Sequence, residues 1–322
     1  MRNVRIYGTL GPACGSPNIL EQMLCEGMDG VRLNLSHSTL EEADGLLRAY
    51  RKAADACSMR PALLIDMQGP ELRIGTLSEP VTLRVGDTIA MDAIPFPQAV
   101  REALTIGREI LLDDGKILLR AERDGLLVLR GGLLESRKSV ALPGLPLRAP
   151  AMTDADREHI RKAKAYGVTA VMQPFVRDKA DLIEVRGALD RAGGTEIRLL
   201  AKIENAAGIA HLDELIPYCD EIVIARGDLG NAMPLWELPA VQKRIAAACR
   251  NANRDFMVVT QMLDSMTHKA VPTRAEVSDV FNAVLDGASS VMVTGETASG
   301  DYPVQTIRYL CKTVREAEAF RA

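Results

Sequence analysis

The feature that most restricts this chain is a repeated alternation. Eight short, nearly continuous apolar runs recur along it, at residues 4–10, 30–36, 62–68, 168–175, 198–204, 221–228, 256–262 and 290–296. Between most of them lie amphipathic stretches, such as residues 39–57, 154–166, 179–191, 238–252 and 273–285. A strand that is apolar on both faces must be covered on both. Alternation with helices supplies that cover in a parallel sheet. Eight strand–helix units is the number that closes a (β/α)8 TIM barrel, so the expected fold class is α/β. An open doubly wound sheet would typically show fewer strands and a Gly-rich nucleotide turn. Neither G-x-x-x-x-G-K-[ST] nor G-x-G-x-x-G occurs here.

The period breaks once, between Gln68 and Val168, where about a hundred residues replace one helix. The stretches VTLRVGDTIAMD, EILLDDGKILLRAERDGLLVLRGG and RKSVALPG alternate apolar and polar residues between Gly and Asp-Gly turns. This predicts a small β-barrel-like lid domain over residues 75–147, inserted after the third strand. Residues 1–74 and 148–322 form the catalytic barrel, closed by a helix over 304–320. Composition then removes whole classes. Thirty-nine basic and 43 acidic residues leave a net charge of −4, which does not suggest a nucleic-acid partner. The six cysteines (14, 25, 57, 219, 249, 311) form no C-x-x-C and no Cys/His cluster. That argues against a disulfide scaffold or structural zinc and fits a reducing compartment. No apolar run approaches the ~20 residues of a membrane span. No signal-peptide core follows Met1, so a cytoplasmic setting is expected.

Sites on such barrels are built where the strands end at their C-terminal side. The second run ends in Arg32, Asn34 and Ser36, which share one face by their spacing of two. The third ends at Asp66, the fifth at Lys202 and Glu204, the sixth at Arg226, Gly227 and Asp228, the seventh at Thr260 and the eighth at Glu296. Charged groups on interior strand ends are costly unless they are paired or bind something. Glu204 and Asp228 offer hard carboxylate oxygens from neighbouring strands, as a Mg2+ or Mn2+ site requires. Lys202 beside them would stabilise charge developing on a phosphoryl group or an enolate. Asn34, Ser36 and Asp66 form an oxygen-rich trio, suited to a monovalent cation or to a phosphate-positioning network. The plain alternative is a set of salt bridges plugging the barrel mouth. The four histidines (37, 159, 211, 268) never pair at metal spacing. His159 and His211 read as helix-surface residues, whereas His37 follows a strand end. Asp113-Asp114-Gly115 reads most simply as a hairpin turn.

These stretches together resemble the pyruvate kinase family, collinearly from the first strand to the end of the chain. TLGP at 9–12, RLNLSH at 32–37, DMQGPELR at 66–73, AKIEN at 201–205 and ARGDLG at 225–230 carry the likeness. TQMLDSM at 260–266, PTRAE at 272–276, NAVLDG at 282–287 and GETA at 295–298 continue it. The resemblance implies phosphoryl transfer between phosphoenolpyruvate and ADP, giving pyruvate and ATP. It implies that Glu204 and Asp228 hold Mg2+ (or Mn2+), with Lys202 neutralising the phosphoryl group and the enolate oxygen. Thr260 would belong to the proton relay, and backbone N–H groups at Gly227 and Asp228 would receive the substrate carboxylate. Arg32, Asn34, His37, Arg73 and Lys138 fall at nucleotide- or phosphate-facing positions. Asn34, Ser36 and Asp66, with the Met67 carbonyl, would bind K+, and Glu71 keeps the acidic residue tied to K+ dependence. A lid would exclude water, and a homodimer through the barrel is the assembly expected.

Several positions depart from the family pattern. Met67-Gln68 stands for Thr-Lys, Pro174 for a Ser, Ala206-Ala207 for a polar residue and Glu, and 137–141 reads RKSVA where an Asn usually closes the motif. The family's C-terminal regulatory domain is not matched by any segment. These changes leave open a paralogous kinase acting on another small enolate or hydroxy acid. A metal-dependent enolpyruvate lyase and a non-catalytic binding protein also remain as readings.

Overall fold

The computed structural model describes residues 4–36, 38–69, 72–113, 115–145 and 150–321. The chain divides into two compact units, Met1–Gly69 with Ala151–Ala322, and Pro70–Pro150. The first contains strands β1 (Arg5–Thr9), β2 (Gly30–Asn34) and β3 (Ala62–Asp66). The second supplies β4 (Val81–Leu83), β5 (Thr88–Ile89), β6 (Glu109–Leu112), β7 (Ile117–Glu122), β8 (Gly125–Arg130), β9 (Gly132–Leu134) and β10 (Val140–Ala141). The chain then returns to the first unit with β11 (Ala170–Gln173), β12 (Arg198–Ile203), β13 (Glu221–Ala225), β14 (Asp255–Val259) and β15 (Ser290–Met292).

The eight strands of the first unit close into a parallel barrel in the order β1-β15-β14-β13-β12-β11-β3-β2. The two-residue period of a strand sorts its side chains into two cores. Ile6, Val31, Leu63, Ile65, Val171, Leu199, Ile203, Ile222, Ile224, Phe256, Val258 and Val291 face outward and pack under the helices. Tyr7, Leu64, Met172, Leu200, Val223, Met257, Val259 and Met292 fill the interior. The same alternation forces Arg32, Asp66 and Lys202 inward at one end of the barrel, and Arg5, Arg198, Glu221 and Asp255 inward at the other. At that second end Glu221 is fully buried and lies 3.3 Å from Arg5 and 3.1 Å from Arg198. Burial pushes its carboxyl above the ordinary range despite both arginines. This charged layer at the N-terminal ends of the strands was not anticipated from the runs.

Helix boundaries follow local chemistry. Ser16 accepts a hydrogen bond from the Ile19 N–H ahead of helix Pro17–Glu26, and Gly27 closes it at φ +112°. Thr153 and Asp156 form a reciprocal capping box on helix Asp154–Ala163, as Thr273 and Glu276 do on Arg274–Leu285. The helix expected over 39–57 begins only at Asp44. The segment before it is a turn in which Thr39 and Glu42 bond each other's backbone N–H groups. The sixth strand stops at Ala225, and Arg226–Asn231 is already helical. His159, read as a surface residue, is 4% exposed, because it shares the inward face of its helix with Asp156, Ile160 and Ala163. His211 is exposed, with its Nδ1 2.9 Å from the Arg177 carbonyl.

The second unit holds a five-stranded sheet, β10-β6-β7-β8-β5, and a two-stranded sheet, β4-β9, with antiparallel pairing throughout. Two short helices, Met91–Ala93 and Gln98–Ala103, lie between β5 and β6. Ile110, Leu112, Ile117, Leu119, Leu126 and Val128 build its own apolar core. Ile74 joins that core and Arg73 bridges to Ser139, so the unit takes in residues ahead of position 75. Asp113 sits in the β6–β7 hairpin at φ +48°, and Asp114 lies outside the described residues. Among the described residues, no helix is long and apolar enough to cross a membrane.

Candidate active site at the barrel mouth

Strand register brings the charged interior residues together. Asn34 pairs with Asp66 across β2 and β3, so Arg32, two residues earlier, sits one interior layer below Asn34. The Arg32 guanidinium meets Asp66 Oδ2 through Nη2 at 2.7 Å and Nε at 2.8 Å. Lys202 Nζ reaches the same oxygen at 3.2 Å and Glu204 Oε1 at 2.8 Å. One buried carboxylate oxygen is therefore shared by two cations, and one of those cations is shared by a second carboxylate. The other oxygen, Asp66 Oδ1, is buried and has no hydrogen-bond partner among the described residues.

The electrostatics follow from this sharing. Burial alone would raise the Asp66 carboxyl; Lys202 and Arg32 override it and hold it below the usual carboxylate range. Burial alone would lower Lys202; Asp66 and Glu204 override it and keep the ammonium charged well above its ordinary pKa. Glu204 has the opposite outcome. Burial pushes it up to about 7, and the negative charges of Asp228 and Asp66 add to that push while Lys202 opposes it. The mouth thus carries a carboxylate short of positive charge, with a second carboxylate, Asp228, near enough to act on it. Glu204 Oε2 also accepts the Phe175 N–H at 2.7 Å, and Phe175 adopts φ +53° to present it.

The RGD and TQML segments meet beside this cluster. Arg226 donates to the Thr260 carbonyl from Nε (3.1 Å) and Nη2 (2.7 Å) and pairs with Asp279 at 2.6 Å. It clamps a segment in which Thr260 and Gln261 both have left-handed backbone, at φ +79° and +54°. An added Cβ at position 227 would lie 3.1 Å from Thr260 Cγ2, so any larger residue there needs the Thr260 side chain to give by a few tenths of an ångström. Glu296 is used inside the fold: buried, it accepts the N–H groups of Leu263 and Thr294. Asn34 Oδ1 accepts the Ser36 N–H at 3.1 Å, an Asx turn that continues the second strand. The Met67 N–H donates to the Met172 carbonyl. His37 and Glu71 lie outside the described residues.

Asp156 was missed, because as a helix residue after the insert it reads only as a cap. It is fully buried. Its carboxylate accepts the Gln68 N–H (2.9 Å), the Gly69 N–H (3.0 Å), and both the N–H and hydroxyl of Thr153. One side chain therefore ties together the point where the chain leaves the barrel and the point where it returns. Because the contact is to the Gln68 backbone, the loop is held whichever side chain stands there. Gly69 is required at φ +63°, where a Cβ would fall 2.3 Å from Pro174 Cγ.

In the second unit, Lys138 is bound to Asp113 and Glu135, each at 3.1 Å, and these partners hold its ammonium above the ordinary value. Arg73 donates to the Arg137 carbonyl at 2.9 Å. Both candidate phosphate-facing cations are thus engaged within their own unit.

A closed parallel barrel with carboxylates and a lysine gathered at the C-terminal ends of its strands defines a barrel enzyme-type mouth rather than a nucleotide-fold crevice. Residues 1–307 match the family described as "Pyruvate kinase, barrel domain". The chain is 35% identical over 326 residues to the pyruvate kinase of Geobacillus stearothermophilus, covering 95% of this chain and 55% of that protein. It is 37% identical over 333 residues to that of Methylorubrum extorquens, covering 98% and 69%. Pyruvate kinase 1 of Saccharomyces cerevisiae is 35% identical over 340 residues, covering 99% and 68%. The chain spans between about half and two thirds of the length of such relatives. It belongs to the pyruvate kinase family.

Proposed function

We propose that this protein transfers a phosphoryl group between phosphoenolpyruvate and ADP, yielding pyruvate and ATP, in a cytoplasmic setting. The observation that carries the reading is the buried Arg32–Asp66–Lys202–Glu204 cluster at the strand ends, with Asp228 acting on it. The residues suit a divalent cation. Among the described residues no three His, Cys, Asp or Glu side chains group to hold a metal alone. Two carboxylates fit Mg2+, which keeps waters and takes its remaining ligands from substrate phosphates. Glu204, pushed up to about 7 by burial and neighbouring carboxylates, is the group such a cation would relieve. Asp66 Oδ1, buried and without a partner among the described residues, supports K+ near Asn34, Ser36 and the Met67 carbonyl. When bound, these cations supply charge neutralisation for the phosphoryl oxygens and the substrate carboxylate.

The chain's own residues do the rest. Lys202, kept charged, stabilises negative charge on the transferring phosphoryl group and then on the enolate oxygen. Arg32 fixes Asp66, which in turn fixes Lys202, so the ammonium is positioned before substrate arrives. Backbone N–H groups at Gly227 and Asp228 receive the substrate carboxylate. The phosphorus–oxygen bond to the enol oxygen breaks as a terminal oxygen of ADP bonds to phosphorus. The enolate carbon then takes a proton by way of Thr260, whose segment Arg226 holds in place. The insert acts as a lid that excludes water, with Arg73 and Lys138 exchanging present partners for phosphate oxygens. A homodimer through the barrel is the assembly proposed.

The test is turnover of phosphoenolpyruvate and ADP with Mg2+, with and without K+, read as pyruvate and ATP. Rates no higher than those of Lys202→Met would overturn the proposal. Metal-dependent proton exchange at the methyl group of pyruvate without ATP would point to enolisation with a different phosphoryl partner. A rate indifferent to K+ would remove the role given to Asn34, Ser36, Asp66 and Met67.

A further inference from the structure

The six cysteines are scattered in sequence, but two of them meet in space. Cys25, in helix Pro17–Glu26, and Cys57, the C-cap of helix Asp44–Ala56, bring their Sγ atoms to 3.8 Å. Cys25 is exposed and Cys57 partly so, while Cys14, Cys219, Cys249 and Cys311 are all buried. The two helices pack against each other, so the contact is held by the fold. A disulfide bond is about 2.05 Å long, so the thiols need approach by only about 1.8 Å, within reach of side-chain rotation.

We propose that Cys25 and Cys57 are a modification site: a dithiol pair that forms an intramolecular disulfide by exchange with a low-molecular-weight disulfide. The reaction balances in two steps. The Cys25 thiolate attacks one sulfur of the small disulfide, forming a mixed disulfide and expelling one thiolate. The Cys57 thiolate then attacks Cys25 Sγ, forming the protein disulfide and expelling the second thiolate. The protein is oxidised by two electrons, the small disulfide is reduced, and the two protein thiol protons end on the two released thiols. The order follows exposure. Cys25 is the accessible sulfur, whereas burial and the adjacent Cys25 thiol push Cys57 up, and Cys57 Sγ also lies 3.8 Å from the Glu21 carbonyl. The second step is intramolecular and fast relative to a second encounter with small disulfide. Both helices end at the face of the barrel opposite the mouth, so the bond braces the scaffold without touching the site.

The experiment is incubation of the whole folded protein with excess oxidised glutathione, acid quenching, alkylation and peptide mapping. The expected result is loss of two alkylatable thiols as one Cys25–Cys57 cross-link, reversed by dithiothreitol. Melting temperature should rise by roughly 5 °C or more on oxidation. Cys57→Ser should stop at a glutathione adduct on Cys25 and show no such rise. Six free thiols after prolonged exposure, two separate glutathione adducts in the unsubstituted protein, or a cross-link to another cysteine would each overturn the proposal.

Discussion

Replacing Asp66 by Asn keeps the shape of the side chain at the barrel mouth and removes its charge. The wild-type carboxylate is 2% exposed and one of its oxygens serves both Arg32 and Lys202. Removing one partner of a buried ion pair costs about 3–5 kcal/mol, because the remaining charge is left in a poor solvent. Here Lys202 retains Glu204, and both cationic side chains are 13% exposed, which argues for the lower end, about 3 kcal/mol. In a unit of this size each kcal/mol moves the melting temperature by roughly 2–4 °C, so Asp66→Asn should melt roughly 6–12 °C lower. Lys202→Met in the Asp66→Asn background should cost less than it does alone, since part of what it removes is already gone. A double-mutant cycle from urea denaturation of the metal-free protein reads this coupling directly, at about 1–3 kcal/mol. Additive single costs, or an Asp66→Asn protein that melts within about 2 °C of wild type, would refute the shared-carboxylate argument.

Three further outcomes follow from other positions. Burial holds Glu221 above its ordinary pKa, so the folded state binds its proton more tightly than the unfolded state. Its contribution to stability is therefore lost as pH rises from the ordinary carboxylate value through the raised one. The wild-type stability minus that of Glu221→Gln should fall across that window, and a difference that climbs with pH would contradict the sign. Asp156→Ala strips four hydrogen bonds from a fully buried carboxylate and should cost roughly 3 kcal/mol or more. Limited trypsin digestion should then cut faster near Arg73, and an unchanged digestion pattern would count against Asp156 as the tie across the insertion point. Arg226→Lys loses the two-nitrogen grip on the Thr260 carbonyl, so turnover should fall at least about tenfold with little loss of stability. Wild-type kcat in that variant would show that the Thr260 segment holds itself.

Much of this arrangement was legible from spacing alone. The eight apolar runs correspond to the eight barrel strands, and the two-residue period placed Lys202 and Glu204 on one side, where they lie 2.8 Å apart. What escaped was set by contacts distant in sequence or by backbone geometry. Asp156 acts on Gln68 and Gly69 across the whole insert, a relation that no local period records. The residues 226–228 read as a strand end, yet the Arg226 side chain is drawn off to Thr260 and Asp279 and the chain turns helical there. Glu296 looked available at the last strand end but is consumed by two backbone N–H groups. The Cys25–Cys57 contact joins two helices whose cysteines have no motif spacing.

The measurement that bears most directly on the central claim is the binding of Mn2+ followed by its electron paramagnetic resonance signal. The account predicts that the protein, in the presence of phosphoenolpyruvate, takes up one tightly held Mn2+ per chain. Glu204→Gln with Asp228→Asn should abolish that binding while the protein remains folded. Unchanged Mn2+ uptake in the doubly substituted protein would show that the carboxylates at the barrel mouth are structural and that the proposed chemistry lies elsewhere.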